Sequence, residues 1–244
     1  SVAFLDEAGL SVSDTGIASS EILSAMISSF KEAGISSFQL GEVLKKMTMG
    51  TIDSLDQISG MKLSDAFAIV KKISSNSVGA FDQITVSGYA TDNISFLAGK
   101  VVEGASIGLG KIGLNDYSAD NLSQMVERVT AGATGALGKI EMTGFDASHL
   151  SGMMEKVTAG ATGALGNIEM TGFSADNLSG MMEKVTAGAT GAMGNIAMTG
   201  FDASHLSGMM EKVTAGATAA LGDIKMDGFS SDNLTSMVEK VTAG

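Results

Sequence analysis

The chain has 244 residues, and its hydrophobic content of 44% is enough to bury a large core, which excludes a disordered chain. Its net charge is −12 with only 15 Lys and Arg residues, so we expect no nucleic-acid partner, because affinity for a phosphate backbone depends on basic contacts. The absence of cysteine excludes disulfides, thiol nucleophiles and thiolate metal sites.

Tandem repetition is the dominant feature of the sequence. Residues 1–34 precede the clear repeats and are predicted to form an N-terminal cap or a shortened repeat. The array is predicted to occupy residues 35–244, and its units recur almost letter for letter towards the C-terminal end. The units begin near residues 35, 61, 89, 117, 145, 173, 201 and 229. A fixed period of this length is typical of a solenoid, in which each unit buries its apolar face against its neighbours.

The first half of each unit predicts an amphipathic helix. In the unit that begins at residue 173, Leu178, Met181, Met182 and Val185 lie at i, i+3, i+4 and i+7, along one helical stripe. We interpret this stripe as core rather than as a ligand site. A capping residue with an aromatic residue before it marks the start of the helix. The predicted N-caps are Ser118, Asp146, Ser174, Asp202 and Ser230.

The sixteenth position of the unit is where we expect this helix to end. Only Gly or Asn occupies it, which is the restriction expected of a left-handed residue after a helix. These residues are Gly50, Asn76, Gly104, Gly132, Gly160, Gly188, Gly216 and Gly244. The nineteenth position accepts Asp53, Ile107 and Ala219 as well as glycine, so the glycines found there require no positive φ.

The second half of the unit predicts a short second helix. Ala161, Ala164, Leu165 and Ile168 again lie at helical spacing. The predicted fold is therefore all-α, with tandem 28-residue helix-turn-helix repeats stacked as an α-solenoid.

A strand in the second half is the alternative. Ile168-Glu169-Met170 alternates apolar and polar residues as a strand does. The spacing Leu165-x-x-Ile168-x-Met170 resembles the leucine-rich repeat family over six residues of each unit, with Phe173 in place of the usual Asn. That resemblance implies an α/β solenoid of strands and helices.

No catalytic constellation, cofactor motif or metal site is predicted, so we expect the protein not to be an enzyme. His149 and His205 occupy equivalent positions at helix starts and have no Cys or second His at ligand spacing. We interpret them as exposed residues of the first helical turn. Pairs such as Asp176-Asn177 offer too few oxygens for a calcium site, and helix capping explains them more simply.

These features favour a non-enzymatic structural repeat protein, a scaffold or a component of a filament or other assembly that associates with itself through repeat surfaces. The alternative function is an extracellular adhesin or ligand-binding solenoid. Low Lys and Arg with abundant Gly, Ser, Thr, Asn and Asp is typical of bacterial surface or secreted proteins, so an extracellular or cell-envelope location is expected. No transmembrane segment is expected, because the longest uncharged stretch, 185–201, is diluted by Gly, Thr, Ala and Asn.

The expected partner is a second copy of the chain or another protein. In the head-to-tail form of this hypothesis, residues 1–16 of one copy complete the last unit of the next and produce an open filament. Four equivalent positions vary while their neighbours do not, and we expect them to contact the partner: Glu141, Glu169, Ala197 and Lys225.

Overall fold

The computed structural model describes residues 9, 11–29, 35–81, 91–114, 117–140, 147–168, 174–194, 196, 202–224 and 230–244. These residues form nine α-helices and no β-strand. The helices are α1 (Val12–Ser29), α2 (Ser37–Asp53), α3 (Leu63–Gly79), α4 (Thr91–Leu109), α5 (Ala119–Leu137), α6 (Ala147–Leu165), α7 (Ala175–Met193), α8 (Ala203–Ala219) and α9 (Ser231–Ala243). Two 3-10 helices, Ser54–Gln57 and Ala220–Asp223, follow α2 and α8.

The predicted all-α solenoid of stacked repeats is confirmed. The α/β alternative needs a strand in every unit, and no strand occurs in the part of the chain that the structure describes. Glu169 and Met170, which belong to the predicted strand, lie outside the described residues. Among the described helices, none combines the length and the apolarity that a membrane crossing requires.

The division of each unit into two helices is wrong. Each of α4 to α7 is one continuous helix of 19 residues, and the sixteenth position lies inside it. Gly160 is within α6 and Gly188 is within α7. Neither has a positive φ; among the described glycines, only Gly9 and Gly60 do. The predicted second helix is therefore the continuation of the first.

Close approach between helices explains why glycine occupies the sixteenth position from α4 to α9. A Cβ on Gly188 would lie 2.4 Å from the carbonyl oxygen of Glu127, and one on Gly160 would lie 2.2 Å from the carbonyl oxygen of Gly99. Real Cβ atoms essentially never come that close to another heavy atom. Glycine is required here for spacing rather than for a left-handed conformation, and its Cα–H groups can make weak hydrogen bonds to the facing carbonyls.

The helices form two layers, because each helix packs most extensively against the helix two units away. One layer contains α1, α3, α5, α7 and α9, and the other contains α2, α4, α6 and α8. Helices that are consecutive in sequence face each other across the layers. From α5 to α9, the helix starts differ between the layers: Asp-Ala-Ser-His at α6 and α8, and Ser followed by Ala or Ser and Asp-Asn at α5, α7 and α9.

Helices in one layer run parallel and nearly in register. Between α7 and α9, Asn233 Nδ2 donates to Asp176 Oδ1 at 3.3 Å near the helix starts, and Lys240 Nζ donates to Glu183 Oε2 at 2.7 Å further along. A Cβ on Gly244 would lie 2.6 Å from the carbonyl oxygen of Glu183. Both hydrogen bonds join residues 57 positions apart, which an antiparallel pair would not maintain along its length.

The core lies between the layers and includes the predicted apolar stripe. Leu178, Met181, Met182 and Val185 are all fully buried, so the prediction that the methionines are core residues is confirmed. Methionine is flexible and adapts its shape to irregular gaps. It can therefore fill the spaces that remain in the core where glycines bring helix backbones close together.

The predicted helix starts at Ser118, Ser174, Asp202 and Ser230 are confirmed as N-caps. Asn121 Oδ1 accepts from the backbone N–H of Ser118 at 2.9 Å, which satisfies a donor at the helix start. Asp146 lies outside the described residues, as do the aromatic residues that precede the caps of α6 to α9.

We expect Gly188→Ala and Gly191→Ala to change stability in opposite directions, although both lie in α7. A methyl group on Gly188 would overlap the carbonyl of Glu127, whereas one on Gly191 has nothing within 4 Å. Gly188→Ala should lower the free energy of unfolding by about 1–3 kcal/mol, the usual cost of overpacking. Gly191→Ala should raise it by about 0.5–1 kcal/mol through helix propensity. Urea denaturation followed by circular dichroism measures both, and equal effects would contradict the close approach.

Candidate interaction surfaces

The helix start of α8 contains one of the two histidines. Asp202 Oδ1 accepts from the backbone N–H groups of Ser204 and His205 at 2.9 and 3.2 Å. In return, Nδ1 of His205 accepts from the backbone N–H of Asp202 at 3.2 Å. His205 thus caps the first turn, and His149 occupies the equivalent place in α6. Within the described residues, no three His, Cys, Asp or Glu side chains are grouped to hold a metal ion.

Ion pairs connect the helices within each layer. Three have the same geometry, with a Lys of one unit bound to a Glu of the unit two before it at 2.7–2.9 Å: Lys184–Glu127, Lys212–Glu155 and Lys240–Glu183. The hydrogen bond from Lys240 lowers the pKa of Glu183 below its ordinary value. All six side chains are more than a quarter exposed, so these pairs contribute little to stability and chiefly reinforce the register.

A more buried charge network joins α2 to α4. Lys100 Nζ contacts Glu103 at 2.8 Å and Glu42 at 3.1 Å, and Lys45 also donates to Glu103. Burial alone would raise the pKa of Glu103, but the hydrogen bonds from the two lysines outweigh that effect and lower it. The two lysines therefore favour the ionised form of Glu103.

An open groove crosses the outer side of each layer. The groove over α3, α5 and α7 has a volume of about 540 Å³, with Lys71, Asp120, Glu127, Arg128 and Lys184 among its lining residues. The groove over α4, α6 and α8 has a volume of about 450 Å³ and a floor that includes Gly99, Gly160 and Gly163. Small residues leave these grooves open, and the first of them presents both signs of charge.

The last two helices expose an apolar surface, which we call the terminal face. It consists of side chains that are 37–45% exposed: Leu206, Met210, Leu234 and Val238. The equivalent side chains two units earlier are fully buried: Leu150, Met154, Leu178 and Met182. The terminal face therefore carries the residue positions with which the inner units stack, and an exposed apolar cluster of this kind is typical of a protein–protein contact.

The four residues expected to contact a partner, Glu141, Glu169, Ala197 and Lys225, lie outside the described residues, so their role stays a prediction. Each follows a buried isoleucine in the sequence. These isoleucines are Ile140, Ile168, Ile196 and Ile224. Residues 1–8 and 10, needed for the head-to-tail contact through residues 1–16, also lie outside the described part.

No protein-family model matches the chain, and no curated protein is significantly similar to it. The terminal face has no signal in the sequence, because Leu206 and Met210 are the same residue types as the buried Leu150 and Met154.

We expect the carboxyl of Asp202 to titrate at about 2, well below its ordinary pKa of 3.8. The Ser204 hydroxyl, which donates to Asp202 Oδ1 at 2.6 Å, is the main cause, and backbone N–H groups add to it. Since the folded pKa is depressed, the cap stabilises α8 above about pH 4, and this contribution is lost as the pH falls towards 2.

The test is a carboxyl NMR titration of two matched variants. Ser204→Ala should raise the pKa of Asp202 towards its ordinary value, and Ser207→Ala, an exposed serine of the same helix, should leave it unchanged. An unaltered pKa in Ser204→Ala would show that the hydroxyl does not bind the carboxylate.

Proposed function

We propose that this chain is a non-enzymatic structural repeat protein, a scaffold or a component of a filament or other assembly, which associates with itself through repeat surfaces. The interface that recurs within each layer is the observation that supports this most directly, because the same Lys-Glu pair and the same glycine contact join helices two units apart from α5 to α9. The terminal face exposes Leu206, Met210, Leu234 and Val238, which occupy the same positions as buried residues of the inner units. Covering these side chains with further helices removes apolar surface from water, at about 25 cal/mol per Å².

The chemistry of the described side chains also supports a structural role. The Glu-Lys pairs and the network around Glu103 are engaged between helices, and His205 caps a helix. A catalytic acid or base needs a position facing a substrate site and a pKa near the working pH. We therefore assign no catalytic residue. Separately, the composition leads us to propose an extracellular or cell-envelope location.

A ligand-binding solenoid or adhesin is the second candidate, and the outer grooves favour it. Their volumes of about 540 and 450 Å³ lie in the range of small-ligand sites. The mixed charge of the larger groove suits a ligand that carries both signs of charge. This candidate requires saturable binding to a monomer, whereas the first requires association between copies of the chain.

Sedimentation velocity over a range of protein concentrations, with electron microscopy of the same samples, separates the two candidates. We expect concentration-dependent association that Leu206→Lys with Leu234→Lys abolishes, because two charges would be placed in the terminal face. Ser207→Lys with Thr235→Lys, exposed polar neighbours on the same helices, should leave association intact. A chain that stays monomeric at every concentration contradicts the assembly role and leaves the ligand-binding solenoid.

A further inference from the structure

We propose that Lys71 and Arg128 form a binding site for a carboxylate group of a small ligand, between α3 and α5 in the larger of the two outer grooves. This inference rests on the second candidate function, the ligand-binding solenoid, and it names the site and the class of ligand. Both helices lie inside their layer, because α1 packs on α3 and α7 packs on α5. The site therefore does not depend on what adjoins either end of the chain.

The α3–α5 interface departs from the charge pattern of the three interfaces that contain Glu-Lys pairs. In those interfaces a Lys binds a Glu that lies 57 positions earlier in the sequence, as Lys240 binds Glu183 at 2.7 Å. Arg128 occupies the Lys position of its unit, and the residue at the same separation before it is Lys71. Two cations therefore occupy the positions at which the later interfaces pair a cation with a carboxylate.

Backbone packing supports this equivalence of positions. A Cβ on Gly132 would lie 2.5 Å from the carbonyl oxygen of Lys71. The equivalent distance from a Cβ on Gly188 to the carbonyl oxygen of Glu127 is 2.4 Å. The Cβ on Gly132 would also lie 3.2 Å from Cγ of Lys71, so the stem of this lysine lies against α5. Arg128 is one helical turn before Gly132, on the same side of α5, and both cationic side chains are exposed in the groove.

The acidic residues that line the groove do not neutralise these two cations. Both of its glutamates are held by lysines of the following helix at 2.7–2.9 Å, in the pairs Glu127–Lys184 and Glu183–Lys240. Asp120 lies about 12 Å before Arg128 along the axis of α5, where it suits the cationic group of a ligand with both signs of charge. Within the described residues, neither Lys71 nor Arg128 makes an ion pair. Because like charges repel, an anion bound between them stabilises the interface.

The chemistry of the two cations favours a carboxylate. Arg128 is the only arginine in the sequence, at a position that carries Lys in every later unit. A guanidinium binds a carboxylate through two parallel N–H donors, which an ammonium cannot do. The guanidinium of Arg128 lies over the ring of Phe67, 5.4 Å from its centroid, and this contact orients it. Gln124, one turn earlier in α5, adds an amide donor to the same lining.

A titration with succinate, followed in proton–nitrogen NMR spectra, tests the site, because the Nε–H of the only arginine gives a single signal of its kind. We expect this signal to shift and saturate with a Kd of about 1 mM, since exposed charge contacts each contribute little. Lys71→Glu creates the ion pair of the later interfaces and should abolish the response. Lys72→Glu makes the same change of charge at an exposed residue outside the groove lining and should retain it. Circular dichroism shows whether each variant folds.

Sodium chloride at matched ionic strength and inorganic phosphate are the comparison titrations. An Arg128 signal that stays unchanged, or that sodium chloride shifts equally through screening, overturns the site. A response that persists in Lys71→Glu overturns the joint role of the two cations. Phosphate that binds more tightly than succinate overturns the choice of a carboxylate.

Failure of this site is distinguishable from failure of the proposed functions. Saturable succinate binding at the groove over α4, α6 and α8, observed at the backbone N–H of Phe96, overturns this site and leaves the ligand-binding solenoid. Sedimentation measures self-association without any ligand, so the assembly role does not depend on the result of this titration.

Discussion

The close approach of a glycine to the backbone of the helix two units earlier is the contact on which the solenoid depends. From α4 to α9, a Cβ at this glycine would lie 2.2–2.6 Å from a carbonyl oxygen of the neighbouring helix. Each interior glycine costs about 0.5–1 kcal/mol relative to alanine, so the short spacing must recover that free energy through contacts between backbones. The spacing also brings Lys and Glu of neighbouring helices within ion-pair distance and fixes the parallel register.

Much of the fold follows from the sequence because its signals are local. Leu178, Met182 and Val185 define the buried stripe by their spacing alone, and Ser118 and Asp202 identify helix starts through short-range hydrogen bonds. The residue at which the helix ends cannot be predicted from such local signals. A position restricted to Gly or Asn fits either a left-handed residue or a close contact, and the partner of Gly188, the carbonyl of Glu127, is distant in sequence.

To predict an interaction surface from the sequence, one must know which residues from distant parts of the chain lie together. Variation between units draws attention to Glu141, Glu169, Ala197 and Lys225, which follow buried isoleucines, but variation does not locate a surface. Glu-Lys pairs adjacent in sequence look like ordinary solvated residues, and only the three-dimensional arrangement shows that Lys240 binds Glu183 of another helix. Leu206 and Met210 are the same residue types as Leu150 and Met154, so the sequence alone does not separate the exposed side chains from the buried ones.

Successive helices alternate between two layers that make equivalent contacts. Each further unit therefore extends the solenoid by one helix. Unequal recombination between the near-identical units would then lengthen or shorten the protein by whole steps without altering any interior interface. An even change in the number of units keeps the last helix in its original layer, and an odd change moves it to the opposite one. The length of such a protein is therefore free to evolve independently of how its units fit together.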